Sequence, residues 1–476
     1  MARPLDHSSE VLAPAGTSTI RAQPAHSWPP TTWEQTVSPE IISILALVAI
    51  FAIATFLPIN MGALAFVAAF LVGTLAVGMT TDDILAGFPG ELVLTLIGVT
   101  YLFAIAQNNG TVDLLVRGAV KLVAGRVAFI PWIMFAVTGV LTAIGALGPA
   151  AVAIIAPIAL GFAARFRISP LLMGMMVVHG AQAGGFSPIS VYGVTVNTIV
   201  ADNDLPSSPV TVFLGSLFFN VAIGAIIFVV LGGRQLVGRK VTDEDVPAST
   251  EDGDTSAEVT GHGTSAGSAV DTVTAPSKVT FEQVLTLLGL VVLVLLALVF
   301  DLDIGFVSIT IATVLALFSA ARHKGAVMQI SWSTVLLIAG VLTFVSVLQA
   351  AGTIEYVGQS VTSIGAPLLV ALLLAYIGAV VSAFASSTAI IGVAISLAVP
   401  FLLAGEIGAV GVVVALAVSA TIVDVSPFST NGALVLANAQ DVDRDRFYKQ
   451  ILGYSGVVVL VGPLVAWLVF VVPGWL

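Results

Sequence analysis

The residues in this chain best placed to do chemistry are hydroxyls, amides and one acid gathered around two interruptions of apolar sequence. Ser187-Pro188-Ile189-Ser190-Val191-Tyr192-Gly193 and Ser426-Pro427-Phe428-Ser429-Thr430-Asn431-Gly432 share the pattern Ser-Pro-x-Ser-x-x-Gly. Proline removes a backbone donor and clashes with the preceding turn, while serine and glycine favour non-helical backbone, so each copy breaks a helix in mid-course. Broken backbone at membrane depth survives only when it is buried in protein or lines a cavity. Two such breaks at corresponding places in two halves of a chain point to a transporter's binding site.

The second half offers the richer set. Ser386-Ser387-Thr388 lies between two apolar runs, at the tip of a helical hairpin, and the break supplies Ser426, Ser429, Thr430 and Asn431. Hydroxyls, amide oxygens and freed carbonyls are hard oxygen ligands suited to a small cation, Na⁺ above all. Helix halves beginning at Thr388 and after Asn431 would turn positive N-terminal ends into the same space, which suits an anion. Small residues also let helices pack closely, which is the plainer reading of any isolated Ser or Thr. The first half is poorer: its tip, Gly145-Ala146-Leu147-Gly148-Pro149-Ala150, has no polar side chain, so Gly148 offers backbone only, beside the hydroxyls of Ser187 and Ser190.

Asp424 is the only carboxylate deep in a span. A buried ionisable group in a membrane is costly and marks function by default, here as a cation ligand or proton carrier; the plain alternative is an acid satisfied by backbone donors at the break. His179, with Gln182 one turn on, and Asn197 after the first break are further candidates, although a lone buried His is more often a packed polar residue. No Lys or Arg falls in the core, so an anion would be held by helix ends, hydroxyls and a co-bound cation. The expected substrate contacts are Ser187, Pro188, Ser190, Ser387, Thr388, Ser429, Thr430, Asn431 and Gly432. Cation contacts would draw on Gly148, Ser386, Asp424 and Ser426 together with the same serines, Thr388 and Asn431.

These groups need elements to hold them. The chain has 476 residues with 9% charged and a mean hydropathy of +1.08, a composition of polytopic membrane proteins. Residues 1–38 read as a polar, disordered tail rather than a secretory signal, and 234–278 as a flexible hydrophilic linker. Without cysteine there are no disulfides, thiolate nucleophiles or Cys-ligated metals. The apolar runs fall into two series, 39–233 and 279–476. Ser426 follows Ser187, and Gly432 follows Gly193, by 239 residues; Gly110-Thr111-Val112 and Gly352-Thr353-Ile354 correspond at 242. With 128–164 and 366–404 taken as re-entrant hairpins, all 14 Lys and Arg outside the tail fall on one face, while Asp82, Asp83, Asp202, Asp204, Asp301, Asp303, Glu355 and Glu406 fall on the other. That satisfies the positive-inside rule. The expected fold is therefore an all-α polytopic membrane protein of two inverted repeats, each with five transmembrane helices, one of them broken, and a re-entrant hairpin. Both termini would lie outside and the linker in the cytoplasm.

The residues His179-Gly180-Ala181-Gln182-Ala183-Gly184-Gly185-Phe186-Ser187-Pro188 and Val423-Asp424-Val425-Ser426-Pro427-Phe428-Ser429-Thr430-Asn431-Gly432-Ala433 resemble the MatC-type dicarboxylate carriers, relatives of the divalent anion/Na⁺ symporters of the ion transporter superfamily. The likeness covers about 40–472. It implies C3–C4 dicarboxylates (malonate, malate, succinate) as substrates, coupling to Na⁺ or H⁺, and a homodimeric elevator in the cell or inner membrane. In the symporter relatives both tips carry Ser-Asn-Thr; here the first is Gly-Pro and the second Ser-Ser-Thr, which leaves the cation number and coupling ion open.

The rivals are an inorganic-anion exporter or a cation/proton antiporter of the same superfamily, the latter expected to show paired intramembrane carboxylates. An intramembrane enzyme is opposed by the absent cysteines and by the lack of a His-x-x-x-His or Gly-x-Ser-x-Gly pattern, and a nonselective channel by the paired breaks. No phosphate-binding Gly-x-x-x-x-Gly-Lys-Ser/Thr loop is present, so no cofactor, nucleic acid or ATPase subunit is expected, only substrate, coupling cation and the lipid bilayer as partners.

Overall fold

The computed structural model describes residues 38–57, 59–121, 126–239, 279–300, 302–320, 322–353, 356, 366–383, 387–403, 405, 407–439 and 442–474. The tail up to residue 37, linker residues 240–278 and Ser386 lie outside this set. Pro39–Leu476 forms one compact unit. The chain stays packed as far as Arg239, whose guanidinium donates to the Phe166 carbonyl at 2.9 Å and whose carbonyl accepts from Val127 N–H at 3.2 Å.

Regular structure among the described residues is helical and falls into two series. The first comprises α1 (Pro39–Phe56), α2 (Met61–Val72, extended by a π-helical turn), α3 (Thr81–Ala86), α4 (Gly90–Asn108), α5 (Thr111–Lys121), α6 (Ile130–Ala143), α7 (Gly148–Arg165), α8 (Pro170–Gly184), α9 (Val191–Asp202) and α10 (Pro209–Val230). The second comprises α11 (Phe281–Leu298), α12 (Ile304–Phe318), α13 (Trp332–Ala350), α14 (Pro367–Ser382), α15 (Ser387–Leu403), α16 (Ala409–Ile422), α17 (Thr430–Asn438) and α18 (Arg444–Phe470). Among the described residues, five helices are long and apolar enough to cross a bilayer unaided: α4, α7, α10, α13 and α18. The 14 residues of α6 rise only about 21 Å, short of the ~30 Å hydrocarbon core.

Packing between the series is exchanged rather than separate. α4 lies on α12 and α13 on α2; α7 lies on α17 and α15 on α9. The α2–α13 crossing runs through Gly62 and Gly340, where a Cβ would overlap the other helix's backbone, and the α12–α4 crossing runs in the same way through Gly305 and Gly98. Without a hydrophobic drive between helices in lipid, such close backbone contact is what holds a crossing together. Gly305 follows Gly62 by 243 residues and Gly340 follows Gly98 by 242, so the two crossings are counterparts.

Burial follows the same division. From Leu171 to Gly184 every residue of α8 is buried, as are Gly411–Ile422 of α16; helices apolar all round belong at the centre. The flanks of α10, α11 and α18 instead expose Phe218, Ile226, Val230, Leu288, Val291, Val457 and Leu460. An apolar surface that extensive belongs against lipid.

Candidate functional site

The two breaks share one plan. In the first, Ser190 caps α9, its Oγ accepting from Gly193 N–H at 3.3 Å and donating to the carbonyls of Ser187, at 2.7 Å, and Gly185. In the second, Ser429 caps α17, its Oγ accepting from Gly432 N–H at 3.3 Å and donating to the Ser426 carbonyl at 2.7 Å. A Cβ on Gly193 would overlap the Ser187 carbonyl, and one on Gly432 the Ser426 carbonyl. Each residue of the Ser-Pro-x-Ser-x-x-Gly pattern thus has a structural task. Proline, four or five residues past the end of the incoming helix, keeps that helix from running on through the break, the second serine caps the outgoing one, and the glycine lets the first serine's carbonyl fold over it. The hydroxyl protons of Ser190 and Ser429 are committed to backbone.

Between these breaks lies a cavity of about 460 Å³, bounded by Leu147, Pro149 and Ala150 of the first tip, Tyr192 beyond the first break, and Ser387, Asp424 and Thr430 of the second half. Its opposite wall is Ile59, Asn60 and Met61 at the start of α2 and Ser331, Ser333, Thr334 and Leu337 at the start of α13. Asn60 ties the wall together: its Oδ1 accepts from Gly62 and Ala63 N–H, and its Nδ2 donates to the Ser333 carbonyl and Oγ, both at 3.1 Å. Leu147 caps α7 with no side-chain acceptor, so the first-turn amides of α7 are left for a ligand, the role expected of a tip without polar side chains.

Asp424 sits 7% exposed at the floor of this cavity. Asn431 Nδ2 donates to its Oδ2 at 2.8 Å, and the Ser387 and Ser429 hydroxyls and the Asn431 N–H also face the carboxylate. Ser387 is itself held by Ser382 Oγ at 3.0 Å. Asn431 Oδ1 is buried with no hydrogen-bond partner, an acceptor that costs about 1–3 kcal/mol to leave unsatisfied. A carboxylate, an unsatisfied amide oxygen and serine oxygens form a hard-oxygen donor set that fits Na⁺ in kind. Gly148 lies beside this group, with the Asn431 Nδ2 and Tyr192 hydroxyl the nearest atoms around its open side.

The sequence candidates therefore separate. Gly148, Ser387, Asp424, Ser429, Thr430 and Asn431 converge on one cavity or its floor. Ser187, Ser190, Ser426 and Gly432 form the breaks that shape it; Ser426 Oγ accepts from Phe428 N–H at 3.1 Å. The backbone of Thr388 lies in the first turn of α15, and its side chain falls outside the described set. Pro188 and Asn197 line a different cavity on the other side of the first break. His179 is removed from both: its Nδ1–H donates to Asn220 Oδ1 at 2.9 Å, with Asn220 Nδ2 given to Ser216, and its Nε2 accepts from the Tyr454 hydroxyl at 2.6 Å. Both ring nitrogens are used, so this imidazole pins α8 to α10 and α18. Gln182 is buried near it with both amide atoms unpartnered. Asn60, Ser333 and Thr334 escaped sequence reasoning, since they lie at helix starts with no motif around them, the Asn before the apolar run at 61–79 being the one available cue; Tyr192 sits inside the first motif but at one of its variable positions.

Comparison with known proteins adds two findings. Residues 37–185 match the family model described as dicarboxylate carrier protein MatC N-terminus, a stretch that takes in His179–Gly185, ends before either Ser-Pro pair and supports the MatC-type resemblance. The fold is similar to that of the YdaH transporter from Alcanivorax borkumensis, at 13% identity and a TM-score of 0.53 over 90% of this chain and 97% of that one. None of the curated proteins compared with the chain matches it. The chain has the all-α fold of a polytopic membrane protein, similar to that transporter.

Proposed function

We propose that the protein is a secondary active carrier of small dicarboxylates of the malonate, malate and succinate class, coupled to Na⁺ or H⁺ and working by elevator-type alternating access. The observation that carries this reading is the convergence of the first tip, the second tip and the second break on one cavity, with Asp424 and the unsatisfied Asn431 Oδ1 at its floor. A dianion there would meet free amides at the start of α7 and the hydroxyls of Thr430, Ser333 and Thr334, while the Asp424–Asn431 group holds the cation that offsets its charge. The matched family's description, a dicarboxylate carrier, agrees with that chemistry.

The moving part in this reading is the set α6–α9 with α14–α17, carried against a fixed wall of α2, α4, α12 and α13, with 128–164 and 366–404 as re-entrant hairpins. The basic face, with Arg117, Arg126, Arg165, Arg167, Arg322, Lys324, Arg444 and Arg446, is the cytoplasmic one, and two copies associate as a homodimer in the cell membrane. Uptake of labelled malonate, malate and succinate into sealed proteoliposomes under imposed Na⁺ or pH gradients tests this. Accumulation under one gradient is expected. Silence under both, in vesicles shown to be correctly loaded, would transfer the assignment to inorganic-anion export or cation/proton exchange.

A further inference from the structure

The proposed site leaves unused a second cavity, of about 660 Å³, that opens at the acidic ends of α4, α9 and α12. Glu91, Thr95, Asp303 and Ile304 bound it on one side, Pro188 and Asp202 on the other. Its wall is the counterpart of the wall already described. Asp303 caps α12 as Asn60 caps α2, and follows it by 243 residues. Glu91 and Ser333 are each the second residue of their helix, 242 apart, and Thr95 and Leu337 correspond at the same offset. One member of each pair lines one cavity and its counterpart lines the other.

Docking is unequal between these two walls. α15 packs on α13, where Gly392 faces Leu342, and α9 packs on α4. The counterpart pairings, α7 on α4 and α17 on α13, make at most a grazing contact. Ala153, the counterpart of Gly392 at the 239-residue offset, is exposed on α7, while Thr100, the counterpart of Leu342 at 242, is buried on α4. In this conformation the pairings α15 on α13 and α9 on α4 are therefore made, and their counterparts across the repeat are not.

We propose that the second cavity is the other station of the transport site, resting on the alternating-access reading, and that its carboxylates make it the low-affinity face for a dicarboxylate. Where the first wall presents neutral Asn60 and Ser333, the second presents Asp303 and Glu91, with Asp202 opposite and no Lys or Arg among the lining residues. A dianion is repelled at this station unless a cation accompanies it, and is released there readily. The two stations thus differ in the charge of their walls rather than in the moving groups that bind.

Two experiments separate this inference from the reading beneath it. The chain has no native cysteine, so the pairs L342C/G392C and T100C/A153C report one docking face each. Both should cross-link in membranes and each should arrest transport; a T100C/A153C pair that never cross-links, beside an L342C/G392C pair that does, overturns the two-station reading itself. The inference proper is tested by E91Q/D303N, which keeps the α12 cap because Asn caps as Asp does. In proteoliposomes of known orientation, KM for labelled succinate at the acidic face should fall about threefold or more at low ionic strength, with the difference shrinking in added choline chloride. The change at the basic face should stay under about twofold by the same distance argument. An unchanged KM at the acidic face, or equal shifts at both faces, overturns the inference while leaving the cross-linking result standing. Should the double variant fail to insert, E91Q and D303N singly carry the same prediction at smaller size.

Discussion

Asn431 Nδ2 reaches back across the second break to donate to Asp424 Oδ2 at 2.8 Å. The bond joins the end of one half-helix to the start of the next, and leaves Asn431 Oδ1 buried without a donor. In the proposed account, that unpartnered oxygen and the carboxylate are the groups offered to the coupling cation.

Asn431→Ala should therefore abolish transport while the protein still inserts and purifies as a monodisperse species, with a stability loss of about 1–3 kcal/mol from the donor taken from Asp424. Asp424→Asn should instead change which gradient drives uptake, or abolish its dependence on one. Gradient-driven uptake beside a thermal melt separates the two. Unaltered coupling in Asp424→Asn would make that carboxylate a structural acceptor for the break.

The breaks should be more sensitive to glycine than to serine. Gly193→Ala and Gly432→Ala each drive a methyl into a serine carbonyl, costing about 1–3 kcal/mol or a shift of the half-helix. Ser190→Ala and Ser429→Ala lose a cap worth about 1 kcal/mol. Melting temperatures and uptake across the four variants should rank the glycine changes as the more damaging in both halves.

His179 should behave as a structural residue. Tyr454→Phe leaves His179 Nε2 without its donor and should cost about 1–3 kcal/mol in a dry interior, with KM and coupling stoichiometry unmoved. A changed stoichiometry in His179→Asn would return that residue to the transport path.

Asn60→Ala should raise KM for the dicarboxylate several-fold at the basic face. Both the α2 cap and the link to Ser333 are lost, so the wall loosens around the cavity. Asn60→Ser or Asn60→Asp, which retain a capping oxygen, should recover stability before affinity.

Much of this was legible in the sequence because the membrane restricts the backbone so severely. A repeated Ser-Pro-x-Ser-x-x-Gly at membrane depth has few physical solutions, and the break positions, the half-helices after Ser190 and Ser429, and the central place of α8 and α16 follow from it. The division of labour within the motif was not legible. That Ser190 and Ser429 spend their protons on carbonyls, while Asn431 keeps an oxygen free, depends on the geometry of a turn rather than on residue type. The opposing wall was hidden for another reason: Asn60, Ser333 and Glu91 are ordinary helix-start residues, and only the glycine crossings between the two series bring them to a cavity. His179 and Asp424 looked alike as buried titratable groups in broken helices. Partners contributed from α10 and α18, far away in sequence, distinguish the pinned imidazole from the acid on the cavity floor.

The most direct test of the central claim, that dicarboxylate binds in the cavity between the tips and the second break, is substrate protection of a cysteine introduced at Ala150. The chain supplies no competing thiol, and Ala150 lines the cavity from the first tip, outside both breaks. Labelling of A150C by a membrane-impermeant maleimide from the basic face should be slowed by malonate, malate or succinate and not by acetate, with half-protection near the KM for uptake. Labelling that proceeds at one rate with and without saturating dicarboxylate, in a variant that still transports it, would contradict the account and place the substrate elsewhere.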